Sequence, residues 1–193
     1  MLRALIGAVV AAVAMYIIGF LFFATPLAGL GTGRLDDNQA AAVQQALAAN
    51  VPATGTYYVP DPATRAQSEM FSRGPVAMIG YDMHGFSASD SSMMIGGFVH
   101  MLVVALLLAL FLHALSRHVR GFGERLKITG IGIAGAAVLM RLGGPIWDHQ
   151  DWTYAIYVFV ADLAMLAAAA VIILKLLPPQ PPVATPAGAT SDL

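Results

Sequence analysis

The sequence predicts an all-α membrane fold: a bundle of four transmembrane helices with a small external α/β element between helices one and two. Three observations predict it. Of 193 residues, 58% are hydrophobic and only 11% charged, whereas about 25% charged is usual for a globular domain. Four long apolar runs punctuate the chain, at 4–24, 93–115, 128–147 and 154–177. Between the first and second of them lies a polar segment with two clusters of β-forming residues.

A helix needs ~20 apolar residues to cross about 30 Å of hydrocarbon, and each run has that length. The first follows Arg3, as a signal peptide would follow its basic start, but its apolar core is too long for one, so it is expected to remain as an anchor. The second is uninterrupted apart from His100 and His113. The third carries Arg141 and ends in Gly143, Gly144 and Pro145, and the fourth carries Asp162 near its middle. Small residues in the third (Gly130, Gly132, Ala134, Gly135, Ala136) and the fourth (Ala167 to Ala170) predict close packing of these two helices, because in lipid close approach replaces the hydrophobic effect as the cohesive force.

Charge sets the expected orientation. In the loop 116–127, Arg117, Arg120, Arg125 and Lys127 outnumber Glu124, whereas 25–92 holds three arginines against six acids. Arg3 and Lys175 flank the outer ends of helices one and four. The positive-inside rule then puts both termini in the cytoplasm, with 25–92 and the turn 148–153 on the opposite side. A net charge of −1 gives no reason to expect nucleic acid, so the basic loop reads as a topology signal with some affinity for anionic headgroups.

Within 25–92, LDDNQAAAVQQALAAN from Leu35 predicts a short amphipathic helix, capped by Asp36 or Asp37 and ending at Asn50 before Pro52, with Val43 and Leu47 on one stripe. TGTYYVP (54–60) and PVAMIGY (75–81) predict two strands joined through the polar ATRAQSEMFSRG. Such a ribbon is marginal alone; Tyr57, Tyr58, Phe71 and Tyr81 suit a membrane interface that would support it. GLGTGR (29–34) fits no phosphate-binding fingerprint and reads as a flexible exit from helix one. Asp90-Ser91-Ser92 reads as the N-cap of helix two. The tail 178–193, PPQPPVATPAGATSDL, is compositionally a polyproline-like segment.

Chemistry is best sought where ionisable groups enter the membrane, since each costs several kcal/mol facing lipid. At about 1.5 Å per residue, His100, Arg141 and Asp162 lie roughly 10, 9 and 15 Å below the outer surface. They are expected to meet as an intramembrane polar cluster, in which Arg141 and Asp162 offset each other's desolvation. A staple between helices three and four and a site for a proton or small polar ligand both fit this pattern. His100 and His113 stand thirteen residues apart, as in helices that ligate two haems, but the other spans offer no opposing histidine, so no cofactor is expected. Asp82, His84, Asp148, His149 and Asp151 offer carboxylate and imidazole groups at the outer surface, without a recognised metal-ligand spacing. Having no cysteine, the chain has neither disulfides nor thiolate ligands. Ser87 to Ser92 near His84 form no recognisable triad.

Three stretches, GTYYVP (55–60), RGPVAMIGYD (73–82) and GPIWDHQDWTYAIYVFVADL (144–163), resemble an uncharacterised group of small bacterial inner-membrane proteins built of one span, an external segment and three further spans. The acid-rich WDHQDW departs from that group's more aromatic turn. The resemblance implies a bacterial inner-membrane setting and carries no activity, substrate or cofactor. The expected function is that of a non-catalytic accessory or assembly subunit, with the bilayer and other membrane subunits as partners. The alternative is a small transporter or ligand-binding protein using His100, Arg141 and Asp162.

Overall fold

The computed structural model describes residues 2–87 and 89–177, so the proline-rich tail expected at 178–193 lies outside the described residues. The chain divides into two compact units, Met1–Gly33 with Ser91–Leu193, and Arg34–Asp90.

The first unit is helical. It comprises α1 (Leu2–Phe23), a 3-10 turn (Pro26–Leu30), and, from the second part of the chain, α4 (Ser91–Leu115), α5 (Phe122–Arg141), the five-residue α6 (Gly143–Trp147) and α7 (Trp152–Leu176). Four helical stretches, Leu2–Phe23, Ser91–Leu115, Phe122–Trp147 and Trp152–Leu176, are long and apolar enough to cross a membrane. Their outward faces are apolar, with Leu107, Ile131 and Leu139 each more than half exposed, whereas the buried interior is largely alanine. Large side chains outside and small ones inside are what a lipid solvent favours. Together these features describe a multi-pass membrane protein.

The core lies where α1 packs against α7 and α4. Gly7, Ala8, Ala11, Ala12 and Met15 of α1 are buried, as are Met165, Ala169, Ala170, Ile173 and Leu174 of α7 and Ala105, Ala109 and Leu112 of α4. A Cβ added to Gly7 would touch the Ile173 backbone at 3.5 Å, so the two helix backbones nearly meet there. The α7 alanines therefore pack as expected, but chiefly with α1.

Helix α5 packs against α7 as expected, but through a different face from the glycine-rich one. Its inward stripe is Arg125, Thr129, Ile133, Ala137 and Arg141, four residues apart: Arg125, Thr129 and Ala137 are buried, Ile133 packs on the core and Arg141 bonds α7. Gly130, Gly132 and Gly135 have open space where a Cβ would stand, so these glycines do not mediate the α5–α7 contact. The helix also begins six residues before the expected 128, which shortens the basic loop. Glu124, Arg125, Leu126 and Lys127 are good helix formers, and their charge concealed it. The break after Arg141 has a local cause, because Pro145 has no N–H to offer the Arg141 carbonyl four residues earlier.

The exit from α1 also departs from expectation. Thr25 caps the 3-10 turn by accepting from Leu27 N at 3.3 Å, and Gly31 is buried against the Tyr157 ring. The first half of GLGTGR thus completes a 3-10 turn and seats Gly31 against α7.

In the second unit, α2 (Asp37–Asn50) starts at a capping box in which Asp36 accepts from Gln39 N and Gln39 accepts from Asp36 N. Strands β1 (Gly55–Val59) and β2 (Ala77–Tyr81) pair antiparallel, with Tyr57 opposite Ile79 and Gly55 opposite Tyr81. The polar connection between them contains a helix that the sequence reading did not propose, α3 (Arg65–Arg73). Thr64 caps it through Gln67 N, an Arg65–Glu69 ion pair at 3.5 Å supports it, and Gly74 ends it at φ 67°. Among the described residues of 34–90 none is buried, and of the α2 stripe Val43 is exposed and Leu47 half-buried.

Candidate functional site

Arg141 is the last residue of α5, and Asp162 lies just short of the middle of α7. The Arg141 Nε donates to Asp162 Oδ2 at 2.6 Å, with the arginine side chain 44% exposed and the carboxylate 20%. The helix break places the guanidinium here. With α5 ending at Arg141, the stripe that faces α7 finishes on a cation, and Asp162 meets it at a depth where an unpaired acid would cost roughly 2.5–3.5 kcal/mol.

The pair uses one of the five N–H donors of the guanidinium. No other hydrogen bond from Arg141 joins a described residue, so its Nη donors are unused within the described residues of this partly exposed side chain. His100 is exposed on α4 and forms no hydrogen bond or ion pair with either residue. The structure thus brings together two of the three expected cluster members. His113 lines a cleft of about 420 Å³ with Leu2, Leu5, Leu106 and Leu110 at the other end of α4.

Two of the candidate surface ligands, Asp82 and Asp151, have local side-chain roles. Asp151 caps α7 by accepting from Tyr154 N at 2.8 Å, and Asp82 accepts from Thr54 Oγ1 and His84 N. His149 sits at φ 51° in the turn, and Asp148 donates its backbone N–H to Gly144 O at 2.9 Å. No three His, Asp or Glu side chains converge in a metal-binding group among the described residues. Trp147, Trp152 and Tyr154 flank this turn, half to four-fifths exposed, as aromatic residues at a membrane interface are.

One buried and one half-buried group escaped the sequence reading. Arg125, taken for a loop cation, is 7% exposed and folds back on its own loop. Its Nη2 donates to Arg120 O at 2.9 Å, and its Nε donates to Gly121 O at 3.5 Å. Its Nη1 is buried without a partner. Tyr157 donates to Phe22 O at 2.6 Å and stacks edgewise on Phe23, joining the far end of α1 to α7. The four-residue spacing from Arg125 to Arg141 was the available signal for the first; nothing local marks the second.

Compared with known protein families, curated proteins and solved structures, the chain matches none of them. A functional reading therefore rests on the residues themselves.

Proposed function

We propose that the chain is a non-catalytic subunit of a larger complex in a bacterial inner membrane, with both termini in the cytoplasm. The open side of the Arg141–Asp162 pair carries the reading. A guanidinium with unused donors on the outside of an apolar helix pair is costly in contact with lipid, and polar groups of a neighbouring subunit would lower that cost. The rest of the exposed α5 surface, including Ile131, Leu139 and Met140, is apolar enough to continue such a contact. The basic loop and the cations at the ends of α1 and α7 support the orientation.

Mild extraction from native membranes followed by affinity purification tests this reading. A stoichiometric membrane partner is expected, and its yield should fall when Arg141 and Asp162 are both replaced by leucine. Recovery as a homogeneous lone chain counts against it.

The same unused donors favour a second reading, a site for a small anion or a proton at Asp162. Under that reading Asp162→Asn assembles normally but loses a pH-dependent binding or transport signal. Under the subunit reading it lowers accumulation instead.

A further inference from the structure

We propose that the cleft between the first turn of α1 and the last turn of α7 is a binding site for the phosphate of an anionic phospholipid. Arg3 and Ile6 from α1, with Lys175, Leu176 and Leu177 from α7, line one cavity of about 270 Å³. Two cations from different helices thus share one space. Neither has a hydrogen bond or ion pair with another described residue, and like charges so placed repel unless an anion lies between them. Among the described residues of the helical unit, Glu124 is the carboxylate at this end. It lies in the first turn of α5 and pairs with neither cation.

Two further features select a phosphate carried on an acyl chain. The first turn of α1 holds no acidic residue, so no carboxylate of that turn competes with an anion for the two cations. The remaining lining is aliphatic: Leu177 is buried beneath, and Ile6 and Leu176 are exposed beside it. A free phosphate gains nothing from those side chains, whereas a lipid places its phosphate between the cations and its chain along Ile6. This site is distinct from the diffuse attraction of the basic connection, since Arg117, Arg120 and Lys127 do not line the cleft. The inference needs the helices to cross a bilayer but does not rest on the subunit reading.

The test is native mass spectrometry of the full-length protein in a zwitterionic detergent, titrated with phosphatidylglycerol, phosphatidylcholine or inorganic phosphate. One phosphatidylglycerol is expected to bind in preference to phosphatidylcholine. Arg3→Gln combined with Lys175→Gln should weaken it by roughly 10- to 30-fold, and the charge-preserving pair Arg3→Lys with Lys175→Arg should stay within about threefold. Arg117→Gln with Arg120→Gln removes as much charge from the same end and should leave the first lipid bound almost as tightly. Equal losses in the two neutralised pairs would overturn the site in favour of smeared electrostatics. Phosphate competing at the lipid's own concentration, or equal binding of phosphatidylcholine, would overturn the lipid assignment.

Discussion

At Gly31 the chain leaving α1 lies against Tyr157, and an added Cβ would stand 2.7 Å from two ring carbons. Gly31→Ala must therefore push the ring away or move the turn, and is expected to cost ~1–3 kcal/mol as an overpacked site. Tyr157→Phe keeps the ring and loses only the bond to Phe22 O, an expected cost of about 1 kcal/mol. Unfolding of the detergent-solubilised protein should rank the two variants in that order. His149 presents the opposite case: its φ of 51° suits glycine, so His149→Gly is expected to preserve or raise stability, by about 1 kcal/mol. A large loss there would instead show that the imidazole has a partner. The Arg141–Asp162 contact was legible in the sequence because charges inside apolar runs need partners and both fall in the same half of two consecutive runs. Gly31 was not, since a glycine in GLGTGR reads locally as flexible while its constraint comes from a ring more than a hundred positions away.

Between helices, the same ion pair acts as the outer fastening of α5 to α7, and the Thr129–Ala137 stripe as the rest. Replacing Asp162 by leucine leaves the guanidinium without its carboxylate, as replacing Arg141 leaves the carboxylate alone. Each single change is expected to lower accumulation sharply, whereas the double leucine variant should recover much of the loss in this chain's own folding, because a matched apolar pair carries no desolvation cost. Quantitative immunoblotting of membranes measures this; equal loss in the double variant would mean that the pair does more than offset two charges carried by apolar helices. Hydropathy made all four spans legible, since length and apolarity alone define a crossing helix. The start of α5 and all of α3 were hidden for a shared reason. Both are helical stretches rich in polar and charged residues, Glu124 to Lys127 and Arg65 to Arg73, which polarity alone marks as loop. Thr64 and Gly74 at the two ends of α3 were the readable signals.

Over the whole molecule, two units differ in how they are held. The helical unit has an alanine-rich interior and close helix contacts, whereas the unit 34–90 buries no described residue and leaves Val43, Met70, Met78 and Phe86 exposed. A two-stranded sheet with that little cover is marginally stable in water, which is consistent with a chain completed by its surroundings. The small αβ element was legible from its caps and β-formers; that it would lack a core was not, because burial depends on what the chain packs against. The absence of cysteine opens one direct test of the proposed subunit role. A photo-crosslinking residue placed singly at Leu139 or Ile131, on the exposed face of α5, or at Leu107, on the exposed face of α4, can be activated in native membranes. The α5 positions are expected to give one discrete protein adduct that disappears when Arg141 and Asp162 are both leucine, with lipid alone captured at Leu107. Lipid adducts alone at all three positions would contradict the claim that this chain holds a membrane partner beside its Arg141–Asp162 pair.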